Sequence, residues 1–202
     1  IRNNPLVKDK SLADAPRPFR MACIQLCTYD GTVYNVRKVL EKIGHLCDYV
    51  LWDEAWIGYN AFHPLFDGHS PMRLEDLPPE SPGLFSTQSV HKQGAGFSQA
   101  SQIHKRDEHL RGQKRFVDHA RFNESFLQHV STSPFYPLFA SLDVNAKIHE
   151  GKGGEMLWDR CIELGIDTRK KLREFGEHFA RNGRGPEEQW FFDPFVPDRV
   201  SV

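Results

Sequence analysis

The sequence predicts an α/β fold in which helices flank a mainly parallel sheet. Strand-like and helical runs alternate through the first half of the chain, and helical runs follow one another in the second. The strand, helix and strand of the first fifty-odd residues are spaced as a βαβ unit. That spacing implies parallel strands and a right-handed crossover.

Residues 1–20 are polar and punctuated by proline, and read as a connector into the fold. MACIQL, Met21 to Leu26, reads as a buried strand, and the turn pair Asp30-Gly31 follows it. Val33, Val36, Leu40, Ile43 and Cys47 recur at helical spacing. DYVLWDEAW then opens on a second apolar run, a strand by length and composition. Residues 60–81 are rich in Pro, Gly, His and charge and read as a long loop, the kind that carries function or moves. GLFSTQSVH and ASQIHK read as two further strands. The second half of QKRFVDHARFNESFLQHV is helical in pattern. So is FYPLFASLDVNAKIHE, which tolerates Pro137 near its start and stops at Gly151. A last helix carries Leu157, Cys161, Leu164, Thr168, Leu172, Phe175 and Phe179 on one stripe, and Asn182-Gly183 ends it. FFDPFVPDRVSV reads as a strand or linker leading out.

The 202 residues hold 26 Lys and Arg against 27 Asp and Glu, with ten His. This balance offers no electrostatic attraction to nucleic acid or to an anionic membrane. No apolar run reaches the ~18 residues of a membrane span, and the first residues lack the apolar core of a secretory signal. Cys23, Cys27, Cys47 and Cys161 form neither a zinc-ribbon spacing nor a disulfide framework. They read as buried, reduced thiols, with Cys23 and Cys27 on one strand face, and so as those of a cytoplasmic protein. The chain begins at Ile1 without Met, as a part of something longer would.

Open α/β sheets bind ligands at the carboxyl ends of their strands. Three runs end there in polar residues: CTYDG, WDEAW and TQSVHK. They supply an acid, Asp53, an indole, Trp56, and the pair His91-Lys92. A lysine becomes a Schiff-base nucleophile when desolvation or a cationic neighbour depresses its pKa. GLFSTQSV suggests a buried approach to Lys92, and Gln93-Gly94-Ala95-Gly96 leaves room beyond it for a flat cofactor. A lysine snorkelling from a strand end would look similar. Asp53 is the natural partner, because a carboxylate beside the pyridine nitrogen of pyridoxal phosphate keeps that ring protonated. A turn or N-cap aspartate is the alternative. No dinucleotide fingerprint, Walker A motif or H-E-x-x-H pattern is present, so no metal is expected. Ser131-Thr132-Ser133-Pro134 places hydroxyls before a helix start, either as an anion site or as a simple N-cap.

TYDGTVYN, IGHLCDYVLWDEAW, TQSVHKQGAGFSQASQIHK and STSPFYPLFASLDVNA together resemble the bacterial ornithine/lysine/arginine decarboxylases. The resemblance runs from about Arg17 to about Lys171, and its lysine-flanking residues look closest to the ornithine branch. It implies the pyridoxal phosphate-binding major domain of the aspartate aminotransferase fold (fold type I), present in part over residues 21–180. Residues 181–202 would then lead toward a C-terminal domain. It further implies decarboxylation of a basic L-amino acid to CO2 and an amine, by a cytoplasmic enzyme that is a homodimer or a higher assembly of dimers. Lys92 matches the lysine that holds the cofactor, Asp53 the partner of the ring nitrogen, and Trp56 a tryptophan near the phenolic oxygen. Ser89 and His91 match residues beside the phosphate and the Schiff base, and Ala55 lies in the same cofactor-binding set. Thr132 and Ser133 match hydroxyls that reach the phosphate across a dimer interface. The family's ring-stacking residue and phosphate loop come from a segment upstream of Ile1, so the chain alone is expected to bind the cofactor weakly. An aminotransferase or lyase of the same fold, or an inert interaction module, remains the alternative.

Overall fold

A computed structural model describes residues 1–182 and residue 194. Its four-stranded sheet has the order β1-β2-β3-β4. The strands are β1 (Phe19–Gln25), β2 (Cys47–Asp53), β3 (Gly83–Gln88) and β4 (Gln102–Arg106). β1 pairs parallel with β2 and β2 with β3, whereas β4 runs antiparallel on β3. α1 (Val36–Ile43) lies between the parallel strands β1 and β2, as expected of a βαβ unit, whereas the parallel connection from β2 to β3 holds only three short 3-10 turns. Between β3 and β4 lies only the four-residue α2 (Val90–Gln93), which is too short to carry a parallel return.

β2 is the central strand by burial: only Asp53 at its end is exposed and Leu51 is half-buried. Val50 and Trp52 point into a core with Leu26, Val36, Ile57, Leu74 and Leu84. On the other face Tyr49 stacks on Phe85 at 5.1 Å, and Phe85 on Phe122 of α3 (His119–Leu127) at 5.5 Å. The Tyr49 hydroxyl donates to Asp107 Oδ2 at 2.9 Å and accepts the Val117 N–H at 3.1 Å. Burial and the adjacent Asp107 carboxylate push the Tyr49 phenol well above its ordinary range. Arg17 fastens the first residues to the sheet, donating to Gly44 O at 2.9 Å and Cys47 O at 2.5 Å.

Several sequence expectations shift. The first strand starts at Phe19 and is largely exposed, because as the edge strand it is paired on one side only. It stops at Gln25, so Cys27 lies beyond it; Cys27 is buried but Cys23 is exposed. Cys161 is exposed as well, so the expectation of four buried thiols holds only for Cys27 and Cys47. The helical spacing from Val33 to Cys47 overran both helix ends. Asn35 caps α1 through its Oδ1, which accepts the Lys38 N–H at 3.0 Å, and Cys47 already opens β2. The loop of residues 60–81 contains three short 3-10 turns.

The chain divides into two compact units, Ile1–Lys147 and Ile148–Val202. All but the last residue of α4 (Tyr136–Ile148) belongs to the first, and its Pro137 sits in the first turn, where no helical N–H is lost. The second is dominated by α5 (Lys152–Asn182), which starts just after Gly151 at φ +63°. Inside it, His149 stacks on Trp158 at 6.0 Å. The α5 stripe predicted from spacing is largely uncovered: Leu157, Leu164, Phe175 and Phe179 are all exposed. Gly183 and FFDPFVPDRVSV lie outside the described residues, Pro194 apart. Among the described residues, no helix is long and apolar enough to cross a membrane.

Gly83 pairs with Tyr49 across the β2–β3 ladder, and a Cβ on Gly83 would overlap the Tyr49 ring. Gly83→Ala is therefore expected to lower stability by roughly 1–3 kcal/mol, as overpacking does. The shift in the urea unfolding midpoint measures this.

Candidate active site

Parallel pairing brings the carboxyl ends of β2 and β3 side by side. Asp53 is the register partner of Thr87. The Leu26 N–H donates to Asp53 O and the Glu54 N–H to Thr87 O, both at 2.9 Å, so the ladder is closed to its last residue. Side chains alternate across the sheet. Asp53 therefore emerges into solvent while Glu54 turns into the core.

One Asp53 oxygen accepts the Ala55 N–H at 2.9 Å, the turn role that the sequence allowed for an aspartate here. The second oxygen carries no hydrogen bond among the described residues. Trp56 follows, partly exposed, with Tyr29 edge-on at 5.4 Å. The Lys92 ammonium lies 4.8 Å from the centre of the Trp56 ring, a cation–π distance. The predicted pair of strand ends thus does bring Lys92 to the WDEAW turn.

Lys92 itself stands differently from the expectation. It lies on α2, not on the strand: β3 ends at Gln88 and Ser89 is the N-terminal flanking residue. The approach is buried, with Leu84, Ser86, Gln88 and Val90 all inside, yet Lys92 is exposed. Ser89 is half-buried and its hydroxyl makes no cap bond. His91 is fixed twice by Ala100 O, through its N–H at 3.3 Å and its ring Nδ1 at 2.9 Å. A carbonyl can only accept, so Nδ1 carries the proton and a neutral His91 offers Nε2 as its basic nitrogen.

The glycines after Lys92 are small for a different reason than cofactor space. A Cβ on Gly94 would stand 2.5 Å from Asn145 Oδ1, and one on Gly96 2.9 Å from Val90 Cγ1. Asn145 and Ser141, one turn apart on α4, reach into this loop. Asn145 Oδ1 accepts the Ala95 N–H at 2.8 Å and Ser141 Oγ the Phe97 N–H at 3.0 Å. The loop thus has its backbone donors satisfied by a helix that packs against glycine. Thr132 and Ser133 precede α4 and are exposed, and no hydrogen bond among the described residues joins them to Asp53, His91 or Lys92.

Glu54, which the sequence reading passed over in favour of its neighbour, is fully buried. Its Oε1 accepts the Asn60 amide at 3.2 Å, and its Oε2 accepts from Gln88 Nε2 at 2.8 Å and from the Ser86 hydroxyl. Gln88 Oε1 in turn accepts from Gln102 at 2.8 Å and from His104 Nε2 at 3.2 Å. The signal was available as period-two polarity. Ser86 and Gln88, and Gln102 and His104, alternate onto one face of strands whose other core positions are apolar. Burial pushes the Glu54 carboxyl above the ordinary glutamate range, and the bonds from Ser86, Gln88 and Asn60 reverse only part of this. Burial likewise pushes His104 down.

A lysine on the turn after β3, an aspartate at the end of the neighbouring parallel strand and an aromatic ring beside the lysine thus gather at one edge of an α/β sheet. The family model "Orn/Lys/Arg decarboxylase, major domain" matches residues 2–202. The chain is 62% identical over 160 residues to the constitutive ornithine decarboxylase of Escherichia coli (strain K12), which covers 79% of the chain and 22% of that protein. It is 50% identical over 201 residues to the inducible ornithine decarboxylase of Lactobacillus sp. (strain 30a), covering 100% of the chain and 26% of that protein. A solved lysine decarboxylase of Francisella novicida superposes with a TM-score of 0.70 at 35% identity, over 90% of the chain and 23% of its own. The chain belongs to the ornithine/lysine/arginine decarboxylase family, as the resemblance implied. It spans about a quarter of the length of the relatives it matches.

Because Glu54 binds its proton more tightly folded than unfolded, it favours folding fully below its ordinary value of 4.5. That contribution is lost as pH rises through the folded pKa. Urea midpoints of the wild type should therefore fall, relative to Glu54→Gln, as pH increases above about 4.5. A constant difference between the two across that range would contradict the assignment.

Proposed function

We propose that this chain carries the lysine and the aspartate of a pyridoxal phosphate-dependent decarboxylase acting on a basic L-amino acid, with ornithine favoured. The observation that carries the reading is the meeting of Lys92 with the Asp53–Trp56 turn, its ammonium 4.8 Å from the indole centre. Sequence supports ornithine: identity is 62% and 50% to ornithine decarboxylases but 35% to the lysine decarboxylase. The full-length protein would work as a homodimer or larger assembly, in which Thr132 and Ser133 serve the neighbouring subunit's phosphate site.

The residues present fit this cofactor. Asp53 has one oxygen committed to its turn and one left to accept from a pyridinium N–H. Ser89 keeps a hydroxyl uncommitted to capping, next to the first turn of α2. Bound there, pyridoxal phosphate supplies the electron sink for the pair left behind when CO2 departs. Lys92 would hold the cofactor through its amine. Asp53 would face the ring nitrogen and favour its protonated form by charge proximity. His91, its Nδ1 proton pinned to Ala100 O, presents Nε2 for proton transfer; either it or Lys92 would return a proton to the substrate carbon.

In the full-length protein, Lys92→Ala should lose both decarboxylation and the visible absorption of lysine-bound cofactor. An unchanged spectrum would overturn the assignment. His91→Ala should slow amine formation roughly a hundredfold or more if His91 is the acid. A full rate in that variant assigns the proton to Lys92. Product analysis over ornithine, lysine and arginine, scored for CO2 and the corresponding amine, tests the substrate.

A further inference from the structure

Asp53 and Lys92 are exposed groups on two separate pieces of backbone, a strand end and a four-residue helix. Something must hold those pieces in register. The parallel ladder ends at Asp53 and Thr87, five residues short of Lys92. The buried carboxyl of Glu54, the residue after Asp53, bonds Gln88 at the end of β3.

We propose that Glu54 is the positioning residue of this site, tying the Asp53 turn to the segment that presents Lys92. The link is continuous. Glu54 Oε2 takes Gln88 Nε2 at 2.8 Å, and Gln88 Oε1 takes Gln102 Nε2 at 2.8 Å. Two residues before Gln102, Ala100 O holds both the backbone and the ring of His91, the neighbour of Lys92. On the other side, Glu54 Oε1 takes Asn60 Nδ2, which also donates to His69 O at 3.0 Å, anchoring the turn that carries Trp56. Gly58 completes the seal: a Cβ there would press on the Gln88 side chain at 3.3 Å. All three groups that donate to Glu54 are neutral, so no cation compensates the carboxylate. A buried carboxyl without a cation is costly and is expected to hold its donors firmly, since each would otherwise be an unsatisfied buried group. A pair of apolar side chains would fill the same space, but could not fix the orientation of Gln88 and Asn60 at once.

This role rests on the assignment of Asp53 and Lys92 to the cofactor, and its test separates the two. The full-length protein is compared with Glu54→Ala, Glu54→Gln and, as a control of equal burial, Leu110→Ala. In the cofactor-free protein, amide hydrogen exchange at His91 and Lys92 should rise tenfold or more in Glu54→Ala and less in Glu54→Gln. Leu110→Ala should leave it unchanged after correction for global stability. With cofactor, Glu54→Ala should weaken pyridoxal phosphate binding at least tenfold and lower kcat more than it raises KM, while Leu110→Ala keeps its affinity within twofold. If Glu54→Ala does not fold, Gln88→Ala cuts the same link from the other strand and carries the comparison. Unchanged exchange at His91 and Lys92 overturns the positioning role whatever the cofactor does. Raised exchange with no lysine-bound cofactor in the wild type upholds the positioning role and overturns the functional reading instead.

Discussion

The double-sided burial of β2 is the constraint from which the rest of this structure follows. A strand covered on both faces must pair its backbone groups with strands on either side. β1 and β3 lie parallel along it, joined by long crossover connections, through α1 on one side and through residues 54–82 on the other. Because both neighbours run with β2, the carboxyl ends come to the same edge. Leu26, Asp53, Glu54 and Thr87 join there through backbone bonds.

The edge itself is a step between two carboxylates. Asp53 and Glu54 are adjacent, and the period of the strand sends them to opposite faces. The exposed one spends one oxygen on the Ala55 N–H. The buried one gives up solvation and recovers it only partly from Ser86, Gln88 and Asn60, which is why its carboxyl sits above the usual range. The same polar layer continues through Gln88 to Gln102 and His104, so that three strands are joined beneath the exposed residues. On the far side of the lysine-bearing turn, Ser141 and Asn145 do the corresponding task for the loop of Ala95 and Phe97. Lys92 is thus flanked by two sets of side-chain-to-backbone or side-chain-to-side-chain bonds. Its own surroundings are open.

Much of this was legible in the sequence where a single local rule decides the outcome. DYVLWD reads as a buried strand because its apolar run is short and β-prone, and Gly151 reads as a stop because it takes positive φ. Where two rules compete, the sequence was less informative. Helical spacing carried the first helix on to Cys47, whereas the start of β2 claims that residue. Val90 to Gln93 continues the apolar tone of β3, but the chain turns helical there, and a four-residue helix is too short to show a period. Gly94 and Gly96 were recognisable as places that need small residues. What presses against them, Asn145 and Val90, was not, because Asn145 is fifty residues away in the chain.

By itself, then, the sequence determined the α/β class, the order of its main elements, and the residue types brought to the strand ends: Asp53, Trp56, His91 and Lys92. These depend on composition and short-range period, which the chain carries locally. Only the tertiary structure decided that β4 turns antiparallel, that Lys92 rests over Trp56 from a helical turn, and that Glu54 rather than Asp53 is the buried carboxyl of the pair. Those outcomes depend on which residues pack against each other across the sheet. The cost of burying a polar group is settled by partners distant in sequence, and no local pattern records them.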